Sequence, residues 1–224
     1  MCQQNAMVTE IARMLGCMHP DAALQDRIQT ALEQVQQAAQ PRAVWRYFPL
    51  EQQNTPSVAG IHLIGSDIAR HLLGCHAVVL MAATLSASAD SYLRCAASED
   101  LSFGLIADAA AGVLVEQLCH DTEAAIRAQI KSPFLTERFS PGYGDLPITL
   151  QADLLRLLDA QRTIGLTATP QSTLLPMKSV TAILGCSEHP VQDARRFGCG
   201  SSCALCPHKP YCMQRRTDES SLEP

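Results

Sequence analysis

Apolar positions in the first forty residues recur at helical spacing. Val8, Ile11, Ala12 and Leu15 share one face, and Gly16 stops that helix. Asp21 is placed to cap a second helix, whose stripe is Leu24, Ile28, Leu32 and Val35. Its Gln-rich face is left to water. Pro41 breaks the pattern, and the aromatic, β-branched run Val44-Trp45-Arg46-Tyr47-Phe48 reads as a strand. Val58–Ile64 reads as another, after a loop at Gln52–Pro56. Ser66 then caps a short helix, Asp67–Leu73, closed by Gly74. Cys75–Leu85 is an unbroken apolar run, which fits a strand buried on both faces. Thr84 and Ser86 end it and lead into a helix near Ala87–Cys95.

Residues 98–130 have the pattern of one long helix, with Ser98 as N-cap and Ser132-Pro133 as its stop. Its middle is apolar over most of the circumference. Phe134–Phe139 can be a strand. Thr149 is placed to cap a helix whose buried stripe is Leu150, Leu154, Leu155, Leu157 and Leu158, ended by Gly165. Leu166–Thr169 and Ser179–Leu184 are extended and read as the strands of a hairpin. Periodicity thus gives helices alternating with strands, without the order of strands in a sheet.

The chain has 224 residues, 47% of them hydrophobic and 17% charged, which is globular and large enough for a sizeable core. A net charge of −5 argues against a nucleic-acid partner, which wants a basic face. No basic-then-apolar leader opens the chain. The longest apolar run, Ala77–Leu85, is far short of the roughly 18 residues of a membrane span. The expectation is a cytoplasmic protein with neither nucleic acid nor membrane as partner. Ten cysteines then mean reduced thiols or metal ligands. Cys2, Cys17, Cys75, Cys95, Cys119 and Cys186 are scattered and read mostly as small buried hydrophobes.

Chemistry concentrates at Arg138-Phe139-Ser140-Pro141-Gly142-Tyr143-Gly144-Asp145-Leu146-Pro147. Glycine and proline this dense fix a loop that presents its backbone groups. Gly142 allows close approach to the main chain, Arg138 offers a planar fork for a carboxylate, and Tyr143 offers a ring and a hydroxyl. The set suits a zwitterionic ligand with an aromatic part. The residues alone serve equally as an ordinary surface loop with a solvated arginine. On the long helix Asp108, Gly112 and Glu116 are four apart and share a face. Two carboxylates across a glycine make a shallow negative groove for an amino or sulfonium cation, or simply a face turned to water.

Arg-x-x-Pro-Gly-Tyr, an acidic/Pro spacer and an amphipathic helix resemble the AdoMet-binding loop in the activation domain of cobalamin-dependent methionine synthase. Leu166-Thr167, Pro176 and Lys178-Ser179-Val180 resemble the segment that follows it. Glu10 through Gly16, Ala82-Ala83-Thr84-Leu85 and Asp108 through Glu116 are similar to stand-alone versions of that domain. The resemblance implies an α+β fold over residues 1–190, with a twisted, mostly antiparallel sheet and flanking helices. It implies a role in reactivation: inactive cob(II)alamin is reduced by one electron and AdoMet methylates the cob(I)alamin formed. Arg138 would pair with the AdoMet carboxylate, the backbone at Ser140 and Gly142 would contact the adenine end, and Tyr143 would pack on the ligand. Glu116, and with it Asp108, would lie near a cationic part. Cobalamin would come on a partner, a corrinoid-binding methyltransferase, to which this chain is an accessory.

The tail changes character. Residues 191–216 hold Cys199-x3-Cys203-x2-Cys206-x5-Cys212, and residues 217–224 read as a frayed end. Four cysteines within 14 positions, with nothing apolar around them, point to one metal centre in a small C-terminal appendage. The spacing matches neither the paired Cys-x2-Cys of common zinc sites nor the ferredoxin run; an iron–sulfur cluster is the expectation, with zinc as the alternative. A second functional class follows from the tail: an electron-transfer or scaffold protein with a vestigial AdoMet loop.

Overall fold

The computed structural model describes residues 2–52, 55–132 and 134–190. The chain opens with α1 (Cys2–Met14) and α2 (Ala22–Ala38), then β1 (Arg42–Pro49). Three short strands follow, β2 (Glu51–Gln52), β3 (Pro56–Val58) and β4 (Ile61–His62), and then α3 (Ser66–His71). Next come β5 (Ala77–Thr84), α4 (Ser86–Glu99) and α5 (Leu101–Gln129). The remainder is β6 (Phe134–Leu135), a 3-10 turn at Ile148–Leu150, α6 (Gln151–Leu158), α7 (Ala160–Ile164), β7 (Thr167–Ala168), β8 (Leu174–Leu175) and β9 (Ser179–Ser187).

The central sheet runs β1-β5-β9-β6, every neighbour antiparallel. All eight residues of β5 are buried, as its apolar run requires. Strand alternation sends Val78, Leu80 and Ala82 to one face, against Ile68 of α3, Leu72 just after it, Leu154 and Leu158 of α6, and Phe139. Ala77, Val79, Met81 and Ala83 go to the other, against Cys119 and Ile126 of α5. A second layer, built from Ile11, Ile28, Leu32 and Val35, packs α1 and α2 against Ile106 and Ala110 of α5. The result is α+β, an antiparallel sheet between helical layers.

Several boundaries differ from the sequence reading, each for a local reason. The long helix does not begin at Ser98, whose hydroxyl donates instead to the Cys95 carbonyl at 2.7 Å. Asp100 closes α4 and caps α5, accepting the Phe103 N–H at 3.1 Å. Val58–Ile64 is not one strand, because Ala59 and Gly60 both take positive φ and turn β3 into β4. Thr149 lies inside the 3-10 turn and caps nothing, and Asp159 at φ 53° breaks the Leu-rich helix into α6 and α7. β7 pairs with β8, while Ser179–Ser187 joins the main sheet beside β5. Cys75, Cys119 and Cys186 are buried, Cys17 is half-buried and Cys95 is exposed. The four tail cysteines lie outside the described residues.

Among the described residues one helix, α5, is long and apolar enough to cross a membrane by length and composition. The expectation based on unbroken apolar runs overlooked it, because isolated acids interrupt it. Here its buried apolar positions, Ile106, Ala110, Cys119 and Ile126 among them, face the sheet and the first two helices, while Leu101, Leu105, Asp108, Glu116 and Asp121 are exposed.

α4 and α5 cross where Gly104 meets Ala97. A Cβ at Gly104 would stand 2.5 Å from the Ala97 Cα, a backbone atom that cannot swing aside. Gly104→Ala is expected to destabilise the fold by about 1–3 kcal/mol, the usual cost of overpacking. Urea unfolding followed by circular dichroism measures it. An unchanged midpoint would mean the two helices separate at little cost.

Candidate functional site

The approach to the loop is irregular for a definite reason. Leu135 faces Cys186, and Phe139 faces Ile183. Thr136, Glu137 and Arg138 therefore stand opposite only Leu184 and Gly185, which is a β-bulge of one extra residue. The Thr136 hydroxyl fills the gap by accepting the Gly185 N–H at 2.8 Å. Leu135 packs on the α5 side of the sheet, whereas Phe139 is fully buried on the α3–α6 side. Without the extra residue the two would share a face. The bulge thus leaves Arg138 pointing at α5.

There Arg138 meets two carboxylates. Its Nη2 donates to Glu116 at 3.0 Å, while Nε and the buried Glu123 Oε1 lie 2.5 Å apart as an ion pair without hydrogen-bond alignment. The arginine side chain is 17% exposed, Glu123 12% and Glu116 55%, so one partner is internal and the other reaches water. Burial pushes the Glu123 carboxyl up, against the pull of Arg138. The Cys119 thiol, pushed up to about 12 by burial, lies beside the same guanidinium. Farther along α5, Asp108 is paired with Lys178 at 2.9 Å. Asp108 and Glu116 are therefore not a bare negative groove: Lys178 pairs with the first and Arg138 with the second.

Beyond Phe139 the loop turns back on itself. Tyr143 N–H donates to the Ser140 carbonyl at 3.0 Å, and Gly142 N–H to the Leu146 carbonyl at 2.9 Å. Gly142 sits at φ 92°, and a Cβ there would be 2.9 Å from Ile148 Cδ1, so glycine is required. Tyr143 is 39% exposed, with its ring edge-on to Phe139 at 6.2 Å between centroids.

Asp145 fastens the far side. Its carboxylate accepts the Ser66 N–H at 2.6 Å, the Ser66 hydroxyl at 2.7 Å and the Asp67 N–H at 3.0 Å. It thereby caps α3, the role expected of Ser66. The Ser66 hydroxyl first, then these backbone donors, hold its carboxyl below the usual range. Beneath the loop, His71 is 2% exposed, 3.0 Å from the Glu137 carbonyl through Nε2 and 5.0 Å from the Phe139 ring centroid.

With this geometry in place, known structures can be compared. The chain shares the fold of the MetH reactivation domain. A crystal structure of that domain bound to AdoHcy matches with a TM-score of 0.57, covering 76% of this chain and 68% of that one at 16% identity. No family profile matches the chain. No curated protein matches it. The likeness to the reactivation domain agrees with the antiparallel α+β architecture that the resemblance implied.

The candidate residues group in two places. Arg138 and Glu116 are in contact. Ser140, Gly142 and Tyr143 form the turn beyond them, and Asp108 lies two helical turns from Glu116, bound to Lys178. Sequence reasoning missed Glu123 and His71, and it named Asp145 and Lys178 without the roles they take as a cap and an ion-pair partner. Glu123 follows Glu116 by seven, a same-face spacing that could have exposed it. A cleft of about 390 Å³ lies elsewhere, between α1 and α2, lined by Val8, Arg13, Met18 and His19 among others, and shares no residue with the loop.

His71 yields a pH test. With Nε2–H donating to Glu137, Nδ1 has no hydrogen-bond partner, and burial holds the imidazole below its ordinary 6.5. The unfolded chain then takes up this proton first as pH falls, so stability drops below about pH 6.5 and levels off once the folded imidazole also protonates. His71→Gln keeps the donor and is expected to flatten this part of the curve. Urea midpoints between about pH 7.5 and about pH 5 measure it; identical slopes in both proteins would sink the assignment.

Proposed function

We propose that the chain binds AdoMet at loop 138–147 and serves the reductive reactivation of a corrinoid methyltransferase such as methionine synthase. The observation that most supports this reading is the fold it shares with a domain solved with AdoHcy, combined with a forked cation at the loop entrance. The donor set fits an amino-acid head group: a guanidinium beside exposed carboxylates. In this reading Arg138 takes the ligand carboxylate. The backbone at Ser140 and Gly142 meets the adenine end, Tyr143 packs on the ligand, and Asp108 lies toward its cationic part. AdoMet supplies an electrophilic methyl group. The chain's own contribution is to hold and orient it toward a partner that carries cobalamin.

Arg138→Lys keeps a cation beside Glu123 but loses the fork. It is expected to weaken AdoMet at least about tenfold, consistent with losing a bidentate charged contact, with little change in thermal stability. Calorimetry on the two proteins measures this, and equal affinities would remove Arg138 from the site.

The proposal extends to the tail, where Cys199, Cys203, Cys206 and Cys212 hold one metal centre, iron–sulfur rather than zinc. An iron–sulfur cluster there would supply low-potential electrons. The alternative reading, an electron-transfer or scaffold protein, draws on these four cysteines alone. Replacing Cys203 and Cys206 together by Ser is expected to abolish the metal and leave AdoMet binding intact. Metal analysis of anaerobically purified protein checks the first and an AdoMet titration the second. Colourless, zinc-bearing protein would end the electron-relay idea.

A further inference from the structure

The two carboxylates on Arg138 differ in kind. Glu123 is 12% exposed and holds Nε from inside the α5–sheet seam, where leaving would strand a buried charge. Glu116 is 55% exposed and accepts from Nη2 at 3.0 Å. A solvated glutamate can release an arginine at small cost, since exposed ion pairs contribute little. Glu116 also reaches water, with 55% of its side chain exposed on the outer side of α5, whereas the surface one turn back at Gly112 is taken by Met14 of α1.

We propose that Glu116 is an internal placeholder for a ligand carboxylate. It occupies one edge of the Arg138 fork, and binding exchanges one carboxylate for another on the same guanidinium, while Glu123 keeps that guanidinium in position. The inference rests on the reading that Arg138 receives the ligand's carboxylate. It assigns Glu116 a role opposite to that of an attractive ligand contact: its carboxylate competes with the ligand's and lowers affinity. It also means that ligand binding unties α5 from the loop at this point, so occupancy is reported on the outer face of the long helix.

The test is calorimetry with AdoHcy, whose thioether carries no charge, and with decarboxylated AdoMet, which has no carboxylate to exchange. Glu116→Gln is exposed and leaves the core untouched. It is expected to tighten AdoHcy about two- to tenfold, the scale of an exposed ion pair together with removal of a like charge, and not to tighten decarboxylated AdoMet. Weaker AdoHcy binding by Glu116→Gln would overturn the placeholder in favour of a direct ligand contact. Tightening of both ligands would show a general field effect and overturn it as well. AdoHcy binding that Arg138→Lys abolishes and Glu116→Gln leaves unchanged would overturn the placeholder alone. Binding indifferent to Arg138→Lys, or no binding by either protein, would overturn the AdoMet reading and this inference with it.

Discussion

One extra residue sets the orientation of the candidate site. Three residues, Thr136 to Arg138, run opposite two, Leu184 and Gly185. That mismatch reverses the alternation of side chains along the segment. Phe139 is driven into one core and Arg138 is turned to the other side of the sheet. With regular pairing Arg138 would project toward the apolar core of α3 and α6, with no acid there to receive it. The bulge is stabilised by a side chain, since the Thr136 hydroxyl replaces the missing ladder acceptor for Gly185.

The electrostatics follow from burial. An arginine placed against α5 has to be compensated, and α5 supplies acids at spacings that share a face: Asp108, Glu116 and Glu123. The same helix carries the apolar surface that joins the sheet to the first two helices. α5 therefore does two jobs with two sides, and its acids explain why so apolar a helix sits at the surface of a globular fold along one edge. Cys119 separates these jobs: it is buried with its thiol well protonated, and it touches the guanidinium from the apolar side.

Much of the architecture was legible in the residues. The periodicity of Ile28, Leu32 and Val35 gave α2 and its Asp21 cap, and the unbroken run from Ala77 gave a strand buried on both faces. Errors came where one residue type can serve two geometries. Ser98, Ser66 and Thr149 all look like N-caps, but an acid did the capping twice, and in the α3 case it came from a residue far along the chain, Asp145. Periodicity reports only local faces, so it could not register that contact. The candidate site was half legible for the same reason. Arg138 and Tyr143 stand out by composition, whereas Glu123 and Lys178 acquire their roles only when the loop and β9 are laid against α5.

The loop from Arg138 to Asp145 is anchored at one end to α5 and at the other to α3, helices that cover opposite faces of the sheet. It passes round the open edge beside β9 like a strap over the side of a case. Gly65 and Gly144 allow the buckle to close, because a side chain at either would collide with the carboxylate of Asp145 or Asp67. The two helical layers are thus laced to each other as well as to the sheet between them. A displacement of either layer pulls on the strap, and a molecule seated on the strap would feel the relative position of both.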